Sequence, residues 1–203
     1  MKRLAVFASG SGSNFEAVMR ALQEGRLTGA QVALLVCDKP GAYVLERAER
    51  FGVPVLLFDP KTYPDKAAYE TEIVGRLQAL GVELIVLAGY MRLVGPVLLH
   101  HYEGRIINLH PSLLPAFPGK DAIGQALAYG VKVTGVTVHF VDAGMDTGPI
   151  IAQHPVRVEP ADTAETLAAR IHEVEHRLLV QVIQALVDQR VAMDGRLVTI
   201  TEP

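Results

Sequence analysis

Apolar and polar residues follow two different rhythms along this chain. Short runs rich in Val, Leu and Ile, bounded by Gly, Pro or Asp, are typical of buried strands. Longer stretches with apolar residues three or four positions apart are typical of amphipathic helices. The two kinds of segment follow one another in turn. This order predicts βαβ units and therefore an α/β fold, a mostly parallel sheet with helices on both faces.

The same patterns give approximate bounds for each element. Strands are expected near Arg3–Ala8, Gln31–Cys37, Val53–Leu57, Leu84–Ala88, Arg105–Leu109, Val133–Val141 and Ile150–Val156. Helices are expected near Asn14–Glu24, Val44–Phe51, Lys66–Leu80, Val94–His100, Ile123–Tyr129 and Thr163–Asp188. The last helix is preceded by Asp162, which stands at capping-box spacing from Glu165. After residue 130 two strands follow without a helix, so the sheet should leave the parallel pattern there. No linker or repeat intervenes, and residues 1–203 are interpreted as a single domain.

Composition narrows the class of protein. The 203 residues are 50% hydrophobic and 20% charged, which is enough to bury a full core. A formal net charge of -3 provides no basic field for nucleic acid. One cysteine, Cys37, excludes an internal disulfide, and no apolar run approaches the roughly 18 residues of a membrane span. We therefore expect a cytoplasmic enzyme that binds neither nucleic acid nor a membrane.

The strongest chemical signal lies where one apolar strand stops at Pro111. Asn108 and His110 are two residues apart in that strand, so they should project from the same face at its carboxyl end. Open α/β sheets keep their sites at that end. Asn can donate to a developing oxyanion, and His can donate or carry a proton, so the pair suits acyl or formyl transfer. The alternative is a strand end with two satisfied polar groups.

A glycine-rich turn, Ser9-Gly10-Ser11-Gly12-Ser13-Asn14, joins the first strand to the first helix. Glycines allow a tight turn, and the helix N-terminus offers unpaired N–H groups to a phosphate. A dinucleotide fingerprint would need Gly or Ala at position 15, where this chain has Phe15. We interpret the turn as a phosphate site for a mononucleotide-type ligand, with a purely structural turn as the alternative.

A third polar segment runs from His139 to Pro149, between two predicted strands. Its Gly144 and Gly148 permit a loop that could bring Asp146 to His110, where a carboxylate would favour the charged imidazole. Asp142 has the features of a solvated turn residue. A metal site formed by His110, His139 and Asp146 is a weaker alternative, because their spacing is not that of a compact ligand set.

Together the three segments resemble the glycinamide ribonucleotide formyltransferase family, from about Lys2 to near the C-terminus. The resemblance implies a Rossmann-like fold whose N-terminal part binds the nucleotide phosphate and whose C-terminal part binds folate. It implies Asn108, His110 and Asp146 as catalytic residues. It implies substrate contacts at Gly12, Ser13, Asn14, Pro111 and Glu175. It also implies folate contacts at Lys66, Met91, Arg92, Leu93, Val94, Asn108, Val141, Asp142 and Asp146.

The resemblance also implies the ligands and the reaction. The formyl donor would be 10-formyltetrahydrofolate, the acceptor would be the amine of glycinamide ribonucleotide, and no metal would be needed. Asn108 and protonated His110 would stabilise the tetrahedral oxyanion, while Asp146 would orient His110 and help to move the proton. A homodimer is an open alternative to a monomer.

Three other functions stay open at this point. Methionyl-tRNA formyltransferases share the Asn-x-His and Ser-Leu-Leu-Pro motifs, but they resemble a longer chain with an RNA-binding domain, and the net charge of -3 does not favour RNA. Formyltetrahydrofolate hydrolases use water as the acceptor and carry an additional N-terminal domain. A non-enzymatic nucleotide-binding module would explain the glycine turn but not Asn108, His110 and Asp146 together.

Overall fold

The computed structural model describes all 203 residues. Its strands are β1 (Lys2–Ala8), β2 (Ala30–Cys37), β3 (Val55–Leu57), β4 (Leu84–Leu87), β5 (Ile106–His110), β6 (Val133–Phe140), β7 (Ile150–Arg157), β8 (Val191–Asp194) and β9 (Leu197–Ile200). Its helices are α1 (Ser13–Gln23), α2 (Tyr43–Arg50), α3 (Lys66–Ala79), α4 (Pro96–Tyr102), α5 (Ala122–Tyr129) and α6 (Ala164–Val187). A 3-10 turn occupies Pro60–Thr62.

Seven strands form one sheet in the order β3-β2-β1-β4-β5-β6-β7. The pairs β1–β2, β2–β3, β1–β4 and β4–β5 are parallel, whereas β6 and β7 are antiparallel. The expected mostly parallel sheet with helices on both sides is therefore confirmed, as is the change of direction after residue 130. None of the helices is both long enough and apolar enough to cross a bilayer.

Contacts divide the chain into two compact units, residues 1–108 and 109–203. In the first unit, β1 pairs on both sides and its residues 4–8 are all buried. A strand that is buried on both faces needs a continuous apolar run, and Leu-Ala-Val-Phe-Ala provides one. Phe15, Val18 and Ala21 form the buried stripe of α1, at the three-residue spacing of a helix face.

In the second unit, α6 packs along the antiparallel pair β6 and β7. Leu167, Ile171, Val174 and Leu178 recur every three or four residues and are buried, which identifies the inward face of this 24-residue helix. Burying each such side chain contributes roughly 1.5–3 kcal/mol before entropy is counted.

Two local predictions differ from the structure. The cap of α6 is Thr163, which exchanges hydrogen bonds with Thr166, so the expected capping box at Asp162 and Glu165 is wrong by one residue. Asp162 instead binds the guanidinium of Arg170, an ion pair eight residues away that no local spacing indicates. The hairpin β8–β9 was not predicted, since its strands have only four residues and little buried surface.

Candidate active site

The glycine turn of the first unit ends in the left-handed conformation at Gly12, whose φ is 77°. A side chain there would be strained, and a Cβ would lie 2.4 Å from a methyl carbon of Val44. Gly12 is the N-cap of α1, and no side chain caps this helix. The first N–H groups of an α-helix have no carbonyl partner within the helix, and the helix dipole favours a negative charge at the same place.

Helix α2 holds this turn in position. The Val44 N–H donates to the Gly10 carbonyl at 3.1 Å, and Arg47 Nε donates to the Ser11 carbonyl at 2.8 Å. The Arg47 guanidinium also forms an ion pair with Glu16 in the first turn of α1. That pairing neutralises a carboxylate which would otherwise repel an anion at this helix end.

The first unit does not have the features of a dinucleotide site. Phe15 is fully buried and packs edge-on against Phe51, which fills the place where a fingerprint glycine would admit the cofactor. Asp38, at the end of β2, has both carboxylate oxygens engaged. One oxygen accepts from the Ser9 hydroxyl and the other from Arg92 Nε.

The predicted folate contacts Met91, Arg92 and Leu93 lie in residues 89–95, which join β4 to α4 without helix or strand. Side chains from elsewhere in the first unit fix this backbone. The Met91 N–H donates to Ser9 Oγ at 3.0 Å, and Lys66 Nζ donates to the Leu93 carbonyl at 2.7 Å. At the far end, the Gly95 N–H donates to the Glu70 carboxylate at 2.8 Å. Lys66 thus holds protein backbone, a contact that sequence spacing did not indicate.

Asn108 and His110 both lie in β5, as expected, with Asn108 partly exposed and His110 buried. His110 Nε2 is 2.8 Å from the Phe117 carbonyl oxygen. Because a carbonyl only accepts, Nε2 carries a proton in this arrangement and Nδ1 is the nitrogen that faces the rest of the site.

The Pro-Ser-Leu-Leu-Pro motif after His110 forms the loop that brings the Phe117 carbonyl back to the imidazole. Thr137, fully buried in β6, fixes this loop: its hydroxyl donates to the Ser112 carbonyl at 2.7 Å and accepts from the Leu114 N–H at 3.1 Å. Gln153 of β7 also donates to that hydroxyl and to the Leu114 carbonyl. Phe117 itself has a positive φ of 51°, which sequence reasoning did not anticipate for an aromatic residue.

Asp146 lies between the imidazoles of His110 and His139, which the fold brings together from distant parts of the sequence. Its Oδ2 is 3.5 Å from His110 Nδ1, and its Oδ1 is 3.8 Å from His139 Nε2. The Gly119 N–H donates to Oδ2 at 2.8 Å and fixes the carboxylate. Asp146 has a φ of 55°, a left-handed conformation that costs of order 1 kcal/mol and that concentrates at functional sites.

Contacts within the 141–148 loop account for the residue types found at its other positions. Asp142 accepts from the Gly144 N–H and from the Thr147 hydroxyl, so it is the turn-forming residue of the loop. At Gly148 a Cβ would lie 1.7 Å from the Phe140 carbonyl oxygen, so only glycine fits. Val141 and Pro111 are partly exposed beside these residues.

His139 is a member of this cluster that sequence reasoning considered only as a metal ligand. It lies two residues after Thr137 on β6, and this alternation was the available signal. Burial lowers the pKa of His139, which favours the neutral imidazole. No group of three or more His, Cys, Asp or Glu side chains is arranged to hold a metal ion.

Comparison with known proteins decides the family. The formyl transferase family model matches residues 2–183. The chain belongs to the formyl transferase family. It is 59% identical over 186 residues to the phosphoribosylglycinamide formyltransferase of Bacillus subtilis, covering 92% of this chain and 95% of that protein.

Solved structures agree with that assignment. Glycinamide ribonucleotide transformylase 1 from Symbiobacterium toebii superposes with a TM-score of 0.96 at 48% identity, covering 100% of this chain and 95% of that chain. The enzyme of the same name from Geobacillus kaustophilus has a TM-score of 0.90 at 61% identity, covering 92% of this chain and 99% of that one. The resemblance found from the sequence and the expectation of a formyl-transferring enzyme are confirmed.

Within this formyl transferase, Glu175 lies on the inward side of α6. It is buried, and its carboxylate is 2.9 Å from His172 Nδ1 one turn earlier. Hydrogen bonding to Glu175 raises the pKa of His172. Family resemblance alone had indicated this residue.

Proposed function

We propose that this chain transfers the formyl group of 10-formyltetrahydrofolate to the amine of glycinamide ribonucleotide. The observation that carries the proposal is the Asp146 carboxylate between His110 and His139, in a chain that belongs to the formyl transferase family. Such a cluster provides both a hydrogen-bond donor for an oxyanion and an acceptor for a proton, which are the two requirements of formyl transfer to an amine.

Recognition of the nucleotide would begin at its phosphate. The uncapped N-terminus of α1 supplies backbone N–H groups, and Ser13 and Asn14 would add side-chain donors. Glu175 and Pro111 are the further substrate contacts that the family resemblance implies, Glu175 for the amino group.

Folate would bind along backbone that is already fixed. Residues 91–94 would frame the pterin with the N–H and carbonyl groups of Arg92, Leu93 and Val94, which would act as donors and acceptors for its ring edge. Val141 and Asp142 are the folate contacts that the family resemblance implies in the 141–148 loop. Lys66 keeps further N–H donors beyond its bond to the Leu93 carbonyl, and these would suit the carboxylates of a glutamate tail.

In the transfer step, the substrate amine attacks the formyl carbon, and a tetrahedral intermediate with a negative oxygen forms. Asn108 and His110 would donate to that oxygen, each donor contributing roughly 3–4 kcal/mol if it resembles other oxyanion-hole groups. Because the Nε2 proton is donated to the Phe117 carbonyl, His110 would donate to the oxyanion as the imidazolium, through a second proton on Nδ1. Asp146 would take the proton released by the attacking amine and pass it, through water, to the folate nitrogen as the bond from that nitrogen to carbon breaks.

The test is substrate dependence. Purified protein should consume 10-formyltetrahydrofolate only when glycinamide ribonucleotide is present, with one tetrahydrofolate and one formylated product formed per turnover. Consumption at the same rate without the nucleotide would indicate hydrolysis to formate and would overturn the proposal. Absence of turnover with both substrates present would overturn it as well.

A further inference from the structure

The 89–95 segment of the first unit is irregular backbone held at three points by side chains from other elements. Ser9, Lys66 and Glu70 bond its backbone at residues 91, 93 and 95. Its apolar side chains are nevertheless open: Met91 is 57% exposed and Leu93 is 46% exposed. Fixed backbone with exposed apolar side chains is a feature of preorganised ligand sites, because ordering costs no further entropy on binding.

One buried carboxylate lies behind this segment. The Asp38 side chain is 1% exposed and accepts from Ser9 Oγ at 2.5 Å and from Arg92 Nε at 2.8 Å. Since the Ser9 hydroxyl proton points to Asp38, the lone pairs of Ser9 Oγ are free to accept the Met91 N–H. Asp38 therefore orients residue 91 through Ser9 and residue 92 directly.

A carboxylate at the end of the second strand is also where a ribose-binding acid would stand. Here its two oxygens are already bonded, and releasing either would leave a buried charge unsatisfied. Arg92 could not leave Asp38 without the same cost. The geometry thus favours a role within the protein over a role in binding ribose.

We infer that Asp38 is a positioning residue for the folate-binding segment, acting through Ser9 and Arg92. The inference rests on the proposed function, because that proposal makes residues 91–94 the frame of the pterin. The inference predicts that the affinity for folate depends on Asp38 and that the affinity for the nucleotide does not.

The experiment compares the wild-type enzyme with Asp38→Asn, which keeps the size of the side chain and removes its charge. Calorimetry with 5-formyltetrahydrofolate gives folate affinity without turnover, and steady-state kinetics give the KM of each substrate. Loss of a charge-assisted contact should raise the folate Kd and the KM for 10-formyltetrahydrofolate about tenfold. The KM for glycinamide ribonucleotide should stay within about twofold, since no contact to the 10–14 turn is removed.

Two further variants keep the inference testable should Asp38→Asn fold poorly. Ser9→Ala removes the contact to Met91 together with the Ser9–Asp38 hydrogen bond and leaves the ion pair, whereas Arg92→Gln removes the ion pair and leaves both Ser9 bonds. Each should weaken folate binding less than Asp38→Asn, and Asp38→Asn with Ser9→Ala should be less than additive, since the first acts partly through the second. Asp59→Asn is the matched control: Asp59 caps the 3-10 turn at Pro60–Thr62, and its loss should leave both substrate affinities unchanged.

A wild-type folate Kd in Asp38→Asn would overturn the inference. So would an equal loss of affinity for both substrates, or a selective loss for the nucleotide, which would make Asp38 a nucleotide contact. Failure of the proposed function is distinguishable, because wild-type protein would then show no nucleotide-dependent turnover whatever the variants do.

Discussion

The two candidate regions, the turn at residues 10–14 and the cluster around Asp146, present different chemical groups to a ligand. In the turn at residues 10–14, the groups offered to a ligand are backbone N–H groups, and the conformation of Gly12 decides where they point. Around Asp146, the active groups are side chains. The Gly119 N–H donates to Asp146, the Phe117 carbonyl accepts from His110, and Thr137 fixes the loop that carries Phe117. Contacts across the chain support both regions, since α2 bonds the turn at Gly10 and Ser11, but only in the second region are the ligand-facing groups themselves side chains that tertiary contacts must position. Substitutions should therefore affect binding in the first region and turnover in the second.

The largest effect is expected at Asp146. Asp146→Asn keeps the shape and the bond from the Gly119 N–H but removes the carboxylate charge beside His110. Turnover should fall about 10²–10⁴-fold, the usual contribution of a positioned acid or base, with both KM values nearly unchanged. Asp142→Asn in the same loop is the control for turnover: it should lower turnover far less, since the side-chain hydrogen bonds of Asp142 lie within its turn and the loss of a folate contact would appear in KM. Equal and mild effects of the two changes would remove Asp146 from the reaction.

A second substitution tests the backbone nature of the phosphate turn. Gly12→Ala imposes a side chain at positive φ and against Val44, so it should cost roughly 1–3 kcal/mol of stability. It should also raise the KM for glycinamide ribonucleotide. Gly10→Ala is the matched control, because a Cβ at Gly10 meets no atom within 4 Å. Thermal unfolding and steady-state kinetics measure both, and equal behaviour of the two variants would contradict the account.

A third substitution tests whether the hydrogen bonds of Thr137 hold the loop that follows His110 in its active position. Thr137→Val removes the hydroxyl that fixes the Ser112–Leu114 backbone and should destabilise the fold by about 1–3 kcal/mol while lowering turnover. Thr134 lies on the same strand with a buried hydroxyl that has no hydrogen-bond partner. Thr134→Val should therefore be neutral or stabilising. Urea unfolding of the two variants gives the comparison, and a larger loss for Thr134→Val would refute it.

The smallest effect is expected in the pH dependence of stability that arises from the His172–Glu175 pair of α6. Glu175 raises the pKa of His172, so the folded state favours the protonated imidazole. This contribution is complete below the unfolded pKa of roughly 6.5 and is lost as pH rises through the higher folded pKa. His172→Gln should lower the free energy of unfolding by a few tenths of a kcal/mol near pH 5.5 and by less near pH 9, since the side chain is half exposed. A deficit that grows toward alkaline pH would have the wrong sign.

The sequence predicted the first region and most of the fold well because their signals are local. Strand and helix periods placed the elements of the sheet, and the glycines before α1 indicated the uncapped helix N-terminus directly. The Asn-x-His pattern placed both residues on one strand without any tertiary information.

The remainder was not accessible to local patterns. The positive φ of Phe117, the carbonyl it turns toward His110 and the Thr137 contacts all arise from tertiary packing. His139 beside Asp146 and the carboxylate of Asp38 behind Met91 follow from strand pairing across many residues. Lys66 was expected to meet a ligand, and its bond to the Leu93 carbonyl depends on how α3 packs.

The most direct test of the division between binding and turnover is the kinetics of His110→Ala. The account predicts that kcat falls about 10²–10³-fold, the cost of one oxyanion-hole donor, while the KM of each substrate stays within about threefold. A variant that keeps its turnover number and loses substrate affinity would make His110 a binding residue and contradict the account.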